Sequence, residues 1–118
     1  MRDEAAVESE IQAKGLNAPR LTPADIDATI ASEFYFPAAE GVLGASAMGT
    51  RPAGPAAPLN RLTICVLVLR NGYMVTGESA CASPENFDEE PGRKIARDNA
   101  RNKIWALEGY ALLQRLAA

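Results

Sequence analysis

The sequence contains no histidine. Histidine is the commonest general base near neutral pH, a frequent zinc ligand, and the usual base that activates a serine or cysteine nucleophile. The sequence also lacks a metal-ligand spacing, a phosphate-binding glycine loop and a nucleophile elbow. We therefore predict that the protein is not an enzyme, and we predict no catalytic residue, no metal site and no cofactor.

Long apolar runs are missing as well, because the longest covers only residues 64–69. A membrane-spanning helix needs about 20 apolar residues, and the chain begins with a polar, acidic segment that does not resemble a secretion signal. Only two cysteines are present, Cys65 and Cys81, and a reducing compartment would leave both as free thiols. These features predict a cytoplasmic protein with no membrane partner.

Positive charge is in short supply, since the formal net charge is −3 and the isoelectric point is near 4.9. A protein that coats polyphosphate needs an excess of lysine and arginine. The balance therefore excludes a nucleic acid polymer as the expected partner, although local basic clusters stay possible. A hydrophobic content of 47% in 118 residues is enough for one folded domain.

The single domain, residues 1–118, is expected to contain two poorly structured segments. Residues 1–20 can form at most a frayed helix over residues 5–14, so poor order is predicted there. Residues 38–58 are rich in glycine, proline and alanine, which favours a flexible insertion. The folded core is then expected over residues 59–118.

A clear helix signal comes at Thr22, a good N-cap that is followed by Pro23 in the first helical position. Apolar residues recur from there at a spacing of four, at Ile26, Ile30 and Phe34. This spacing predicts a helix that continues to about residue 33. A short strand near residues 33–37 is a weaker alternative for the end of this segment.

A β-hairpin is predicted over residues 62–69 and 73–78, because Asn71-Gly72 stands between two strand-like runs. Both turn residues tolerate the positive φ of a primed turn. The first strand is apolar on both faces, which indicates a central strand that is covered by helices on one side and by another chain or element on the other.

The last element is a long helix that Asp88 caps and that continues to about residue 116, with Pro91 in its first turn. Gly109 weakens this helix by about 1 kcal/mol relative to alanine and could kink it. The fold class is therefore α+β: a small antiparallel sheet packed with a long C-terminal helix and an N-terminal helix.

The long helix carries Arg93, Arg97 and Arg101 at successive spacings of four, so these arginines share one face. Their guanidinium groups could converge on a phosphate or carboxylate. The alternative is a solvated face that is paired with nearby carboxylates. Asn99, a poor helix former on the same element, is a candidate for a ligand contact or simply faces water.

The loop before this helix contains Asn86 and Phe87, next to a helix N-terminus whose free amides favour anions. An exposed phenylalanine there could stack on a base. The alternative is that Phe87 packs onto the helix it precedes and that Asn86 is a turn residue.

The stretch from residue 62 to residue 116 resembles a family of small conserved phage and prophage proteins. The resemblance is carried by the TICVLVLRNGYMVTG strand and turn, the SACASPENFD loop and the KIWALEGY segment. Pro91 departs from the family pattern, in which an aliphatic residue is more frequent.

This family is in turn similar to the Thoeris anti-defence protein of the first type, a phage sponge for cyclic ADP-ribose-like signals. That similarity implies an antiparallel sheet with C-terminal helices, a dimer-based oligomer that can reach a hexamer, and nucleotide pockets at subunit interfaces in the host bacterial cytoplasm. Some such sponges also bind cyclic oligonucleotides through arginines near the C-terminus, which points to Arg115 here. The candidate ligand-binding residues are Asn86, Phe87, Arg93, Arg97, Asn99, Arg101 and Arg115.

Two other functions fit the sequence: a protein–protein module that inhibits or assists a host or replication factor, and an assembly component. Self-association is expected in any case. The two-sided strand and the apolar tail at Leu112, Leu113 and Leu116 offer more hydrocarbon than one small chain can cover.

Overall fold

The computed structural model describes residues 3–47 and 57–118, and it has the predicted α+β architecture. A three-stranded antiparallel sheet packs against one long C-terminal helix, and shorter helices precede and flank the sheet. Within the described residues, no helix has the length and apolar character needed to cross a bilayer. The elements are α1 Glu4–Ala13, α2 Pro23–Ala28, β1 Ile30–Pro37, α3 Ala38–Ala47, β2 Leu62–Leu69, β3 Met74–Ala80 and α4 Glu89–Ala117, with short 3₁₀ turns at Ala57–Arg61 and Pro84–Asn86.

Helix α2 begins as predicted but ends at Ala28, so the prediction of a helix to residue 33 is wrong. Thr22 and Asp25 form a reciprocal capping box at its start. The residues that seemed to extend the helix belong to β1, where Phe34 lies opposite Val66 of β2. Aromatic and β-branched residues fit a sheet at least as well as a helix. Pairing with the distant strand β2 therefore outweighs the helix preference that the spacing of four indicates.

Strand β2 lies at the centre of the sheet, in the order β1-β2-β3, as the apolar run predicted. Its inner face, with Cys65, Leu67 and Leu69, is buried in the main core. The outer face, with Ile64 and Val66, is only half-buried. The sheet therefore has one fully covered face and one apolar face that is partly open.

The hairpin between β2 and β3 is present, but its turn differs from the primed type. Among the residues of this turn, only Gly72 has a positive φ, of 88°. The Gly72 amide donates to the Leu69 carbonyl at 2.9 Å, and the Leu69 amide donates to the Tyr73 carbonyl at 2.7 Å. Three residues thus close the turn, with glycine in the left-handed position of a bulged type I hairpin.

Helix α4 starts at the predicted cap, where the Asp88 carboxylate accepts a hydrogen bond from the Glu90 amide at 3.0 Å. It continues through Gly109 without interruption to Ala117. Ala96 and Ala100 lie fully buried against the sheet. Small residues on both sides let the helix approach β3 closely, and this contact fixes where the arginines of α4 lie.

The two segments predicted to be poorly structured each contain a helix. The frayed helix predicted over residues 5–14 is found as α1, and α3 is a helix that the glycine content did not suggest. In α3, alanine, leucine and glutamate supply helix propensity that compensates for two glycines. The remainder of the predicted insertion, residues 48–56, lies outside the described residues.

Candidate functional site

A groove of about 580 Å³ lies between the first two turns of α4 and the inner side of β1. It combines an aromatic ring, three cations and three carboxylates. The lining residues are Tyr35, Asp88, Glu89, Glu90, Arg93, Lys94 and Arg97.

Arg93 is a weakly paired cation of this groove. Its guanidinium carbon lies 5.8 Å from the centre of the Tyr35 ring, within the range of a cation–π contact. Its ion pair with Glu89 is long, at 4.0 Å, and both side chains are exposed. Such a pair contributes little to stability, so Arg93 can exchange Glu89 for a ligand while it stays close to the aromatic ring.

Arg97 is fixed by Glu33 of β1, to which its Nε and one terminal nitrogen both donate at 3.0 Å. This contact holds the pKa of Glu33 below its ordinary value. The Tyr35 hydroxyl also donates to Glu33, at 2.6 Å. Burial, together with this hydrogen bond, raises the pKa of Tyr35. The arginine, the glutamate and the tyrosine thus hold one another in place on the groove wall.

Arg101, predicted to join Arg93 and Arg97, does not reach the groove. It is 7% exposed, and its Nε donates to Asp27 of α2 at 2.7 Å. It also donates to Glu4 of α1 and to the Pro23 carbonyl. Arg97 and Arg101 lie on the same face of α4 but contact different elements, because β1 lies beneath Arg97 and α2 lies beneath Arg101.

Asn99 lies on the other side of α4, where its amide donates to the Glu78 carbonyl of β3 at 2.8 Å. It therefore ties the helix to an edge strand. Arg115 lies at the exposed end of α4, 22 helical positions after Arg93, which corresponds to a rise of about 33 Å. One chain cannot bring these residues together at a single small ligand.

The loop residues Asn86 and Phe87 lie at a different cleft. Asn86 is exposed at the end of a 3₁₀ turn, and Phe87 is half-buried against Gly92 of α4. Phe87 lines a cleft of about 170 Å³ together with Cys81 and Ile95. Its packing against the helix it precedes is the contact expected for the alternative, non-ligand role.

The sequence analysis assigned no site role to Tyr35, which lines the groove, or to Glu33, which binds both Tyr35 and Arg97. They were assigned to the end of α2 or to a weak strand, where neither had a predicted neighbour. Recognition of β1 as a full strand would have placed Glu33 and Tyr35 on the same face, beneath α4. In the described part of the chain, no group of three or more cysteine, aspartate or glutamate side chains is placed to hold a metal ion.

Comparison with known proteins assigns most of the chain to one family. The model of the Phage protein (N4 Gp49/phage Sf6 gene 66) family matches residues 21–116. The matched segment begins after α1 and includes the whole sheet and nearly all of α4. No curated protein and no solved structure gives a significant match.

Proposed function

The chain belongs to the N4 Gp49/phage Sf6 gene 66 family of phage proteins, and from that premise we propose that it is an anti-defence protein. In this proposal it binds a cyclic nucleotide immune signal and holds it without cleaving it. The ligand class is that of cyclic ADP-ribose-like signals, with cyclic oligonucleotides as a second class. The protein removes the signal from solution and performs no chemistry on it.

The observation that carries this proposal is the position of Arg93 over the Tyr35 ring. A nucleotide needs a cation for its phosphate and a flat surface for its base. Arg93 and Tyr35 offer both within one groove, and Arg97 adds a guanidinium that Glu33 holds in a defined orientation. The carboxylates of the groove lie beside these cations in ion pairs that a phosphate can replace.

The charge of the groove favours a pocket that a second subunit completes. Arg93, Lys94 and Arg97 face the carboxylates of Glu33, Asp88, Glu89 and Glu90, so one chain alone supplies no positive excess there. A phosphorylated ligand therefore requires cations from a neighbouring chain. The similarity to the Thoeris anti-defence protein implies a dimer-based oligomer that can reach a hexamer. In such an oligomer, Arg115 of one chain could approach the groove of a neighbouring chain.

The outer face of the sheet supports self-association. Phe34 is 55% exposed and Met74 is 60% exposed, on either side of the half-buried Val66. A contiguous apolar face of this kind is typical of an interface. The same face also favours a second candidate function, a protein–protein module that binds a host or replication factor.

Calorimetry separates the two functions. The wild-type protein is titrated with cyclic ADP-ribose-type signals and with cyclic di- and trinucleotides. The same titrations are then repeated with the Arg93→Ala and Lys103→Ala variants. Lys103 is exposed on the same helix and does not line the groove, so it is the matched control. Loss of a charge-assisted contact should weaken binding by about 1.5 to 3 kcal/mol for Arg93→Ala only. A protein–protein module would bind none of these ligands.

A further inference from the structure

One carboxylate oxygen in the first turn of α1 accepts hydrogen bonds from two side chains of α4. Oε1 of Glu4 accepts a hydrogen bond from the Trp105 indole N–H at 3.0 Å and another from the Arg101 guanidinium. The Arg101 side chain is only 8% exposed, and that of Glu4 is 19% exposed. Two donors that converge on one oxygen in a largely dry position make a site that selects a carboxylate.

The rest of α1 buries little apolar surface. None of its residues is fully buried, and Val7 is 47% exposed. Glu8 of α1 also pairs with Arg20, through contacts of 2.7 and 2.8 Å between part-buried side chains. Because α1 buries no residue fully, little apolar area is lost if it leaves, and segments of this kind open at low free energy.

The resident helix also fills its groove incompletely. An apolar cavity of about 80 Å³ remains between Val7 and Ile11 of α1 and Leu21 and Trp105 beneath them. A wider cleft of about 650 Å³ runs along the other side of α1, past Arg101. A bulkier apolar side chain in place of Val7 would make contacts that the resident helix does not make.

The receiving residues and the resident helix differ in how they match the family model. Arg101 and Trp105 lie within residues 21–116, which the family model matches, whereas α1 precedes that segment. The receiving site thus lies inside the matched segment, and the helix that occupies it lies outside.

We propose that Arg101 and Trp105 form a docking site for an acidic helix of a protein partner, and that α1 occupies this site as a displaceable arm. The partner helix has a carboxylate in its first turn and a large apolar residue three positions later, the places of Glu4 and Val7. A free phosphate fits less well, because the adjoining cavity is apolar and suits a ligand that carries hydrocarbon next to its negative charge. The site is independent of the groove at Tyr35, which Arg101 does not line.

The test uses the full-length chain and a labelled synthetic peptide of residues 3–14 that carries Val7→Leu. Glu4→Gln weakens the resident arm, so fluorescence anisotropy should give about tenfold tighter peptide binding than for the wild type, the equivalent of one lost charge-assisted bond. The matched control is Glu10→Gln, because Glu10 is exposed on α1 and pairs with Lys14 of the same segment. This control should bind the peptide as the wild type does. Trp105, the single tryptophan of the chain, should shift its emission when the arm is exchanged.

Two further measurements keep the proposal falsifiable if Glu4→Gln does not fold. Val7→Leu in the full-length chain fills the cavity, tightens the arm and should reduce peptide binding severalfold. A peptide with glutamine in the place of Glu4 should lose binding to the wild type. Equal affinity of the acidic and neutral peptides, or no binding of the acidic peptide to either the wild type or the folded variants, would overturn the proposal.

Discussion

Gly77 of β3 lies in direct backbone contact with Ala100 of α4. A Cβ atom on Gly77 would be 2.3 Å from the Ala100 nitrogen and 2.2 Å from the Ala96 carbonyl oxygen. Both atoms belong to the backbone, so neither can move aside as a flexible side chain would. This contact sets the distance between helix and sheet, and it therefore determines which β1 residues the α4 arginines can reach.

Gly77→Ala should lower the free energy of unfolding by about 3 kcal/mol, because overpacking against backbone forces strand and helix apart. Chemical denaturation measures this loss. Gly44→Ala is the control, since Gly44 lies in α3 and no atom of the described residues lies within 4 Å of where its Cβ would be. It should be neutral or stabilise α3 by up to about 1 kcal/mol. Equal stabilities of the two variants would contradict the close contact.

The free energy of unfolding should decrease in acid, because protonation of Glu33 weakens its ion pair with Arg97. The folded-state pKa of Glu33 is lowered, first by its hydrogen bond with Arg97. A depressed carboxyl pKa gives stability that is complete above the ordinary value of 4.5 and is lost as the pH falls through the lowered value. Glu33→Gln should therefore lose about 1 kcal/mol at neutral pH, after allowance for solvent screening, and progressively less as the pH falls through the lowered pKa of Glu33.

The control for this acid titration is Glu40→Gln, an exposed glutamate of α3. It should leave the pH dependence of the unfolding free energy unchanged. The Glu8–Arg20 pair, with a Glu8 pKa of about 2, contributes in the same direction and persists to lower pH. A Glu33→Gln variant that loses stability equally at neutral and acid pH would show that the pair is not the cause.

The outer sheet face should be an interface between copies of the chain. Light scattering should give a mass well above the 12.5 kDa of one chain, and Phe34→Glu should lower it. Tyr73→Glu is the control, because Tyr73 is similarly exposed but lies just beyond the turn. A wild-type mass near 12.5 kDa at all concentrations would remove the predicted oligomer.

The two thiols should differ in reactivity. Cys65 is fully buried, and burial raises the pKa of its thiol, whereas Cys81 is partly exposed at a cleft. A thiol reagent should modify Cys81 in the folded protein and Cys65 only after denaturation. The melting temperature should be the same with and without reductant, because both cysteines are free. Rapid modification of both thiols would contradict the packing of β2.

The second half of the fold could be predicted because its signals are local. The central strand, the Asn71-Gly72 turn and the Asp88 cap each rest on adjacent residues, and all three are found near their predicted positions. Strand β1 was largely missed because the residues with which it pairs lie 26 to 39 positions further along the chain. A spacing of four in an apolar segment cannot distinguish a helix from a strand whose alternation is broken at one position.

The candidate site was predictable only in part for the same reason. The arginines of α4 were visible as a stripe, but their partners come from three different elements: Glu33 from β1, Asp27 from α2 and Glu4 from α1. Which arginine stays available depends on those tertiary partners. Arg93 alone faces an aromatic ring and a weakly paired carboxylate.

The most direct test of the proposed function is recovery of an unchanged ligand. Purified protein is incubated with a cyclic ADP-ribose-type signal, separated from unbound ligand and denatured by heat, and the supernatant is analysed by mass spectrometry. The proposal predicts that the ligand is retained by the native wild-type protein, retained less by Arg93→Ala, and released with its mass unchanged. A correctly assembled protein that retains neither this signal nor a cyclic oligonucleotide at tens of micromolar, or that releases a cleaved product, would contradict it.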